Sequence, residues 1–228
     1  MKAEKRALLF IGSPKHEHVS SCVSLGTLLG NALRKNGVIT DQLLIVSLIK
    51  SKEGIDKMIA AINNTDILVF LSPLYVDSLP YLVIKAMELI RAARNNIIGQ
   101  KRLAAISLCG FPEAYQNDIA IHIYERFALE LNFEWLGGLA VGMGPAIVHG
   151  RQMLEPIGAY YRMRRAIKTT AFALSRLRPI PKKAIETIAK PFVPSYLYVF
   201  MAVARSKMIG IKNRAGNLHA KPYVHIKN

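Results

Sequence analysis

Ser13, Lys15, Ser20 and Ser21 place three hydroxyls and one ammonium within nine residues. They sit between a short apolar run, Arg6–Gly12, and a helix-period segment carrying Leu25, Leu28, Leu29 and Leu33. Hydroxyls and a lysine at the start of a helix suit a phosphate. The first N–H groups of the helix point outward there, and its dipole favours negative charge. Cys22 follows directly in the same segment. Read alone, Gly12-Ser13-Pro14 with a later serine equally describes an ordinary strand-to-helix turn with a serine N-cap. His16 and His18 read as exposed loop residues.

Two further loops carry groups suited to a flat ring. Ser72–Pro80 holds two prolines and a tyrosine, Tyr75, with no evident core position. Asp77 or Ser78 could also cap the helix that follows. Cys109–Asn117 contains Gly110, where backbone can approach a ligand closely, then Phe111, Glu113, Tyr115 and Gln116. Backbone N–H groups and Gln116 could bond the polar edge of a heterocycle. One phosphate loop and two ring-suited loops on one sheet edge describe a flavin mononucleotide site.

The elements that must position these loops follow from apolar patterning. Ala7–Ile11, Ile67–Leu71 and Leu103–Leu108 are short continuous apolar runs, the habit of parallel strands buried on both faces. Val38–Val46 and Phe133–Val141 complete five strands. Helical periods cover about 21–35, 53–63, 80–95 and 117–131, with Asn36-Gly37 as a helix stop. This alternation predicts an α/β fold, a flavodoxin-like doubly wound five-stranded parallel sheet of order 2-1-3-4-5. In such sheets ligands bind outside the carboxyl ends of the strands, near the switch point. After Gly150 helices are expected at 156–176, 183–190 and Tyr196–Met208, separated by prolines. The division expected is a core at 1–150 and a basic, mainly helical extension at 151–228, packed on the core or on a dimer partner.

Three sets of residues carry a resemblance to a known family. Gly12-Ser13-Pro14-Lys15 with Ser20-Ser21 and Ser24-Leu25-Gly26 resembles the phosphate loop of the NAD(P)H-dependent FMN reductase and multimeric flavodoxin group. Ser72–Pro80 resembles its second flavin loop, and Cys109–Glu113 with Gln116-Asn117 its third. Glu134–Gly138 and Gly142-Met143-Gly144 fit the same group. The resemblance implies bound FMN, a nicotinamide cosubstrate (NADH or NADPH) and a homodimer. It implies that Ser13, Lys15, Ser20, Ser21 and Cys22 hold the phosphate. Pro73, Leu74, Tyr75 and Val76 would line the isoalloxazine, and Gly110, Phe111 and Glu113 would face its other parts. Cys22 stands where relatives often carry a hydroxyl, and the first loop is one residue longer. The function implied is transfer of electrons from reduced nicotinamide through FMN to a small acceptor: a quinone, a flavin, an azo or a nitro compound. The flavin supplies the difficult chemistry, so no side chain is assigned a catalytic role. A non-enzymatic electron carrier is one alternative. A flavin-binding interaction protein with a basic membrane- or partner-binding tail is the other.

Composition narrows the field. The chain has 228 residues, 51% of them hydrophobic, enough for one sizeable core. The two cysteines, Cys22 and Cys109, form neither a disulfide framework nor a metal-ligand spacing, and no iron–sulfur motif is present. No Walker phosphate loop occurs, and Gly142-Met143-Gly144 with Ile147 in third place is a poor dinucleotide fingerprint. The start shows no secretory pattern. The longest apolar stretch, Phe192–Ala204, is interrupted by Pro194 and Ser195. A cytoplasmic protein is therefore expected. The net charge of +16 is uneven. Residues 1–150 hold 15 basic against 13 acidic residues, whereas 151–228 hold 16 against 2. Such a surplus is either a solvated face or the mark of an acidic partner. A nucleic-acid partner is not expected, and contact with an anionic membrane surface stays open.

Overall fold

The computed structural model describes residues 4–14, 20–145, 158–191 and 193–213. Five strands form one sheet: β1 (Lys5–Ile11), β2 (Val38–Leu44), β3 (Ile67–Pro73), β4 (Arg102–Leu108) and β5 (Glu134–Val141). All pairings are parallel and the spatial order is β2-β1-β3-β4-β5. This is the flavodoxin-like doubly wound arrangement expected from the alternation of elements. β1, β3 and β4 are buried along nearly their whole length, which explains their unbroken apolar character.

Side chains alternate across the sheet and build two cores. On one face Leu8, Phe10, Leu68, Phe70, Leu103 and Ala105 meet three helices: α3 (Lys52–Asn63), α4 (Tyr81–Ala92) and α5 (Asp118–Glu130). On the other face lie α1 (Ser21–Lys35) and α6 (Gly158–Leu174), packed side by side. Gly26 and Gly30 let α1 approach closely. A Cβ on Gly26 would come within 2.9 Å of Ile11 Cδ1, and one on Gly30 within 3.3 Å of Leu9 Cδ1. α1 begins at Ser20 as its N-cap and ends with Arg34 and Lys35 against its negative pole.

The edges depart from the plain pattern. β2 stops at Leu44, and the next four residues form a short helix, α2 (Ile45–Leu48). Ile45 and Leu48, three apart, are then both buried. The apolar run to Val46 reads as strand, yet the core accepts it in helical spacing. Between β4 and β5 the register slips, with Leu103 opposite Trp135 and Ala104 opposite Gly137, so that Leu136 is extra. Gly137 takes φ +112° at this bulge, a conformation that suits glycine. The backbone N–H of Ile180 donates to the Leu136 carbonyl at 2.7 Å, partly covering the open edge of β5. α7 (Lys182–Ala189) then packs against β5. The chain divides into two compact units, 1–192 and 193–228. The first unit thus includes α6 and α7. The described part of the second is essentially one helix, α8 (Ser195–Lys212). No helix among the described residues is long and apolar enough to cross a membrane.

An aromatic cluster ties β1 and β3 to α5. The Phe70 ring lies 5.5 Å from Phe10, 5.2 Å from Tyr124 and 6.1 Å from Phe127, centroid to centroid. Tyr124 is fully buried, and its hydroxyl donates to Ser72 Oγ at 2.8 Å. Burial pushes this phenol far above its ordinary value of 10.0. Above pH 10 the unfolded chain releases the Tyr124 proton while the folded chain keeps it, so unfolding is favoured. Stability from this group is complete below about pH 10 and falls by about 1.4 kcal/mol per pH unit above it. Tyr124→Phe should flatten the alkaline limb of a urea-midpoint profile between pH 9 and 11, at a cost of about 1 kcal/mol at neutral pH. Parallel alkaline limbs for the two proteins would contradict the assignment.

Candidate functional site

Because β1, β3 and β4 are adjacent, their three carboxyl-end loops are neighbours. The switch point of the sheet, where the strand order reverses, lies between β1 and β3. The Gly12 N–H donates to the Leu71 carbonyl at 2.7 Å. A Cβ on Gly12 would fall 2.3 Å from Val83 Cγ2 and 3.3 Å from Ser72 Cβ, so the first and second loops start in contact. The Leu74 N–H donates to the Leu108 carbonyl at 2.8 Å, joining the second loop to β4.

In the first loop Ser13 and Cys22 are buried, and Lys15 lies outside the described residues, as do His16 and His18. Ser20 is buried, and its Oγ accepts from the Val23 N–H at 3.4 Å. Ser21 is used differently. Its hydroxyl donates to the Gly144 carbonyl at 2.7 Å, so its single proton is committed within the protein. Ser20, acting as an acceptor, retains a proton to donate. No acidic residue stands in the first turn of α1, so no carboxylate within that turn offsets its positive pole.

The second loop is a tight turn. The Tyr75 N–H donates to the Ser78 carbonyl at 2.9 Å, and the Ser78 N–H returns to the Tyr75 carbonyl at 3.1 Å. Both central residues have positive φ, +49° at Val76 and +58° at Asp77, the pattern of a type I′ turn. That conformation favours Asn-Gly, and a β-branched Val76 in it is strained. Such strain clusters at ligand sites. The turn leaves Val76 98% exposed and Tyr75 42% exposed, with Pro73 half-buried behind them. Burial, and secondarily the nearby Cys22, pushes the Tyr75 phenol up.

The third loop is held from within. Cys109 is buried, and its Sγ lies 3.5 Å from both the Phe111 and Glu113 carbonyls, one thiol proton serving the pair. Burial pushes this thiol up, so it stays a donor rather than a nucleophile. Gly110 has open space where a Cβ would stand. Phe111 and Tyr115 are exposed beside it in sequence, and Glu113 is half-buried.

Two positioning features had weak signals in the sequence. Asn117 is fully buried: its Oδ1 accepts from Ser107 Oγ at 2.8 Å, and its Nδ2 donates to the Ala114 carbonyl at 3.0 Å and the Val141 carbonyl at 3.4 Å. Asn117 is part of the third-loop resemblance, but its burial is signalled only by a serine inside each of two apolar strands, Ser72 and Ser107. The segment after β5 is the second feature. The Met143 N–H donates to the Phe111 carbonyl and the Gly144 N–H to the Cys109 carbonyl, each at 2.7 Å. With Ser21 bonded to Gly144, this segment laces the third loop to the start of α1. Among the described residues no group of three metal-ligating side chains occurs. A groove of about 460 Å³ between α4 and α5, lined by Ile84, Met87, Ile123 and Phe127, lies on the helix layer and gathers none of the loop residues.

Known structures share the fold at low identity. A flavone reductase superposes with a TM-score of 0.56 and 12% identity over 76% of this chain, which spans 65% of that protein's length. A Klebsiella pneumoniae protein provisionally described as a quinone reductase gives 0.55 and 14%, covering 78% of this chain and 87% of its own. An NADPH-quinone reductase from P. pentosaceus gives 0.50 and 15%, covering 74% and 98%. No protein-family model matches the sequence, and no curated protein is similar to it at a significant level.

Proposed function

We propose that this chain is an FMN-dependent NAD(P)H oxidoreductase that passes electrons to a small acceptor such as a quinone, a flavin, an azo or a nitro compound. One observation carries the reading: a helix start without acidic residues and two ring-suited loops meet on the carboxyl edge of β1, β3 and β4. Fold relatives described as flavone and quinone reductases support it. The donor set fits the cofactor. Ser13, Ser20 and the positive pole of α1 suit a phosphate, with Lys15 in the same loop. Tyr75, Val76 and Phe111 offer apolar surface to a flat ring, and Gly110 leaves room for its approach. A bound flavin would supply the hydride and electron-transfer chemistry. The protein's share is to hold the phosphate, keep the two ring loops rigid and exclude water. A homodimer is proposed on the family resemblance alone.

The absorption spectrum of the purified protein tests the reading first. Cofactor released by heat should run as FMN, and FAD or no flavin after reconstitution would refute it. Steady-state NAD(P)H oxidation by the holoprotein separates an enzyme from a carrier. The serines give a sharper test. A hydrogen bond to a charged group contributes about 1.5–3 kcal/mol. Ser20→Ala should therefore weaken FMN at least about tenfold and leave riboflavin, which lacks the phosphate, little changed. Ser21→Ala should act on both ligands alike, because its bond to Gly144 positions a loop. Equal losses of FMN and riboflavin in Ser20→Ala would make that serine a helix cap only.

A further inference from the structure

The second unit carries chemistry that the flavin reading leaves unused. α8 has 18 residues and is about 27 Å long. From Tyr196 to Ala204 it bears no charge. At about 100° per residue, Leu197, Val199, Phe200, Met201 and Val203 cover an arc of about 200°, more than half of the circumference. A flanking protein surface covers one strip of such a helix and leaves the rest. Tyr196, Phe200, Val203, Met208 and Ile211 are exposed. Within α8 the charged residues are Arg205, Lys207 and Lys212, and no acidic residue follows Glu186 anywhere in the sequence.

These facts select among partners. The uncharged stretch is about 13 Å long, under half of the roughly 30 Å hydrocarbon layer of a bilayer. It is suited to entering one interface and too short to span. A second copy of the chain would bring its own surplus of +16 against the same basic end, a repulsive match. Nucleic acid would use the cations and leave Phe200, Val203 and Met208 in water. An anionic lipid surface satisfies both halves. Apolar side chains enter the headgroup–acyl boundary, tyrosines suit that boundary, and lysine and arginine meet lipid phosphates.

We propose that α8 docks this protein on an anionic phospholipid surface, with Tyr196–Ala204 in the headgroup–acyl boundary and Arg205, Lys207 and Lys212 on the lipid phosphates. The inference does not depend on the oxidoreductase reading. Flotation of the full chain tests it, with phosphatidylcholine vesicles against vesicles that also contain phosphatidylserine. The protein should float with the second and partition at least about tenfold less onto the first. Arg205→Glu with Lys207→Glu should lower that partition more than about tenfold, and Phe200→Ser with Val203→Ser should abolish it. Both variants should keep the thermal unfolding curve of the parent. Independently, Tyr196→Trp should shift its emission to the blue on anionic vesicles only. Equal partition onto both vesicles, undiminished binding by the variants, or no blue shift would overturn the proposal. So would absence of vesicle binding combined with self-association that the Phe200→Ser and Val203→Ser changes abolish, which would assign the helix to a second copy.

Discussion

Asn117→Ala should lower the stability of the fold by about 3 kcal/mol, a large share of the 5–15 kcal/mol typical of a domain. The side chain is fully buried and makes three hydrogen bonds, to Ser107, Ala114 and Val141. Removing it leaves the Ser107 hydroxyl and the Ala114 carbonyl buried without their partner, at about 1–3 kcal/mol each. The Val141 carbonyl loses less, because it still accepts from the Cys109 N–H at 2.9 Å. Urea unfolding should show a lower midpoint with an unchanged slope. Ser107→Ala should cost less, because only the Asn117 Oδ1 loses its partner while the Nδ2 keeps both backbone carbonyls. If both variants cost the same, the amide's bonds to backbone contribute nothing and the clamp is only the serine–asparagine pair. The loss should also reach the site, since Asn117 closes the 3-10 turn Ala114–Asn117 at the end of the third loop.

A pair of glycine variants should separate the scaffold of the site from its binding space. A Cβ on Gly142 would lie 2.4 Å from the Pro112 carbonyl oxygen and 3.0 Å from that of Phe111. Both are backbone atoms, and the Phe111 carbonyl is already bonded to the Met143 N–H, so the third loop must move. Gly142→Ala should cost about 1–3 kcal/mol and weaken FMN together with the fold. A Cβ on Gly110 meets nothing within 4 Å, and no positive φ opposes it. Gly110→Ala should therefore leave the thermal midpoint of the cofactor-free protein unchanged. If the flavin ring approaches that backbone, the added methyl should still weaken FMN by about tenfold or more. Unfolding curves without cofactor and flavin titrations on the same preparations decide the matter. Unaltered FMN affinity in Gly110→Ala would move the ring away from the third loop.

Much of this molecule is set by local pattern. β1, β3 and β4 are legible because strands covered on both faces must be apolar throughout. α1 is legible from its leucine spacing, its serine start and the Asn36-Gly37 stop. Those elements in that order imply the parallel sheet and bring the three loops to one edge. The uneven charge is likewise a property of sequence alone. Contacts between distant segments are not. Ser21 and Gly144 are 123 residues apart, and nothing near Ser21 tells whether its proton goes to a ligand or to a carbonyl. Asn117 is legible as a loop residue, but its three buried bonds exist only once the sheet closes round it. Val76 and Asp77 hold positive φ because Tyr75 and Ser78 must bond across them, a demand of chain closure that overrides local preference. The end of β2 is the same case, where Ile45 and Leu48 fold back in helical spacing because the core beneath needs both side chains. Local sequence determines which elements form and which face they bury. Which hydroxyl is spent on the scaffold and which remains for a ligand is decided when remote segments meet, because a buried polar group must find its partner wherever the fold supplies one.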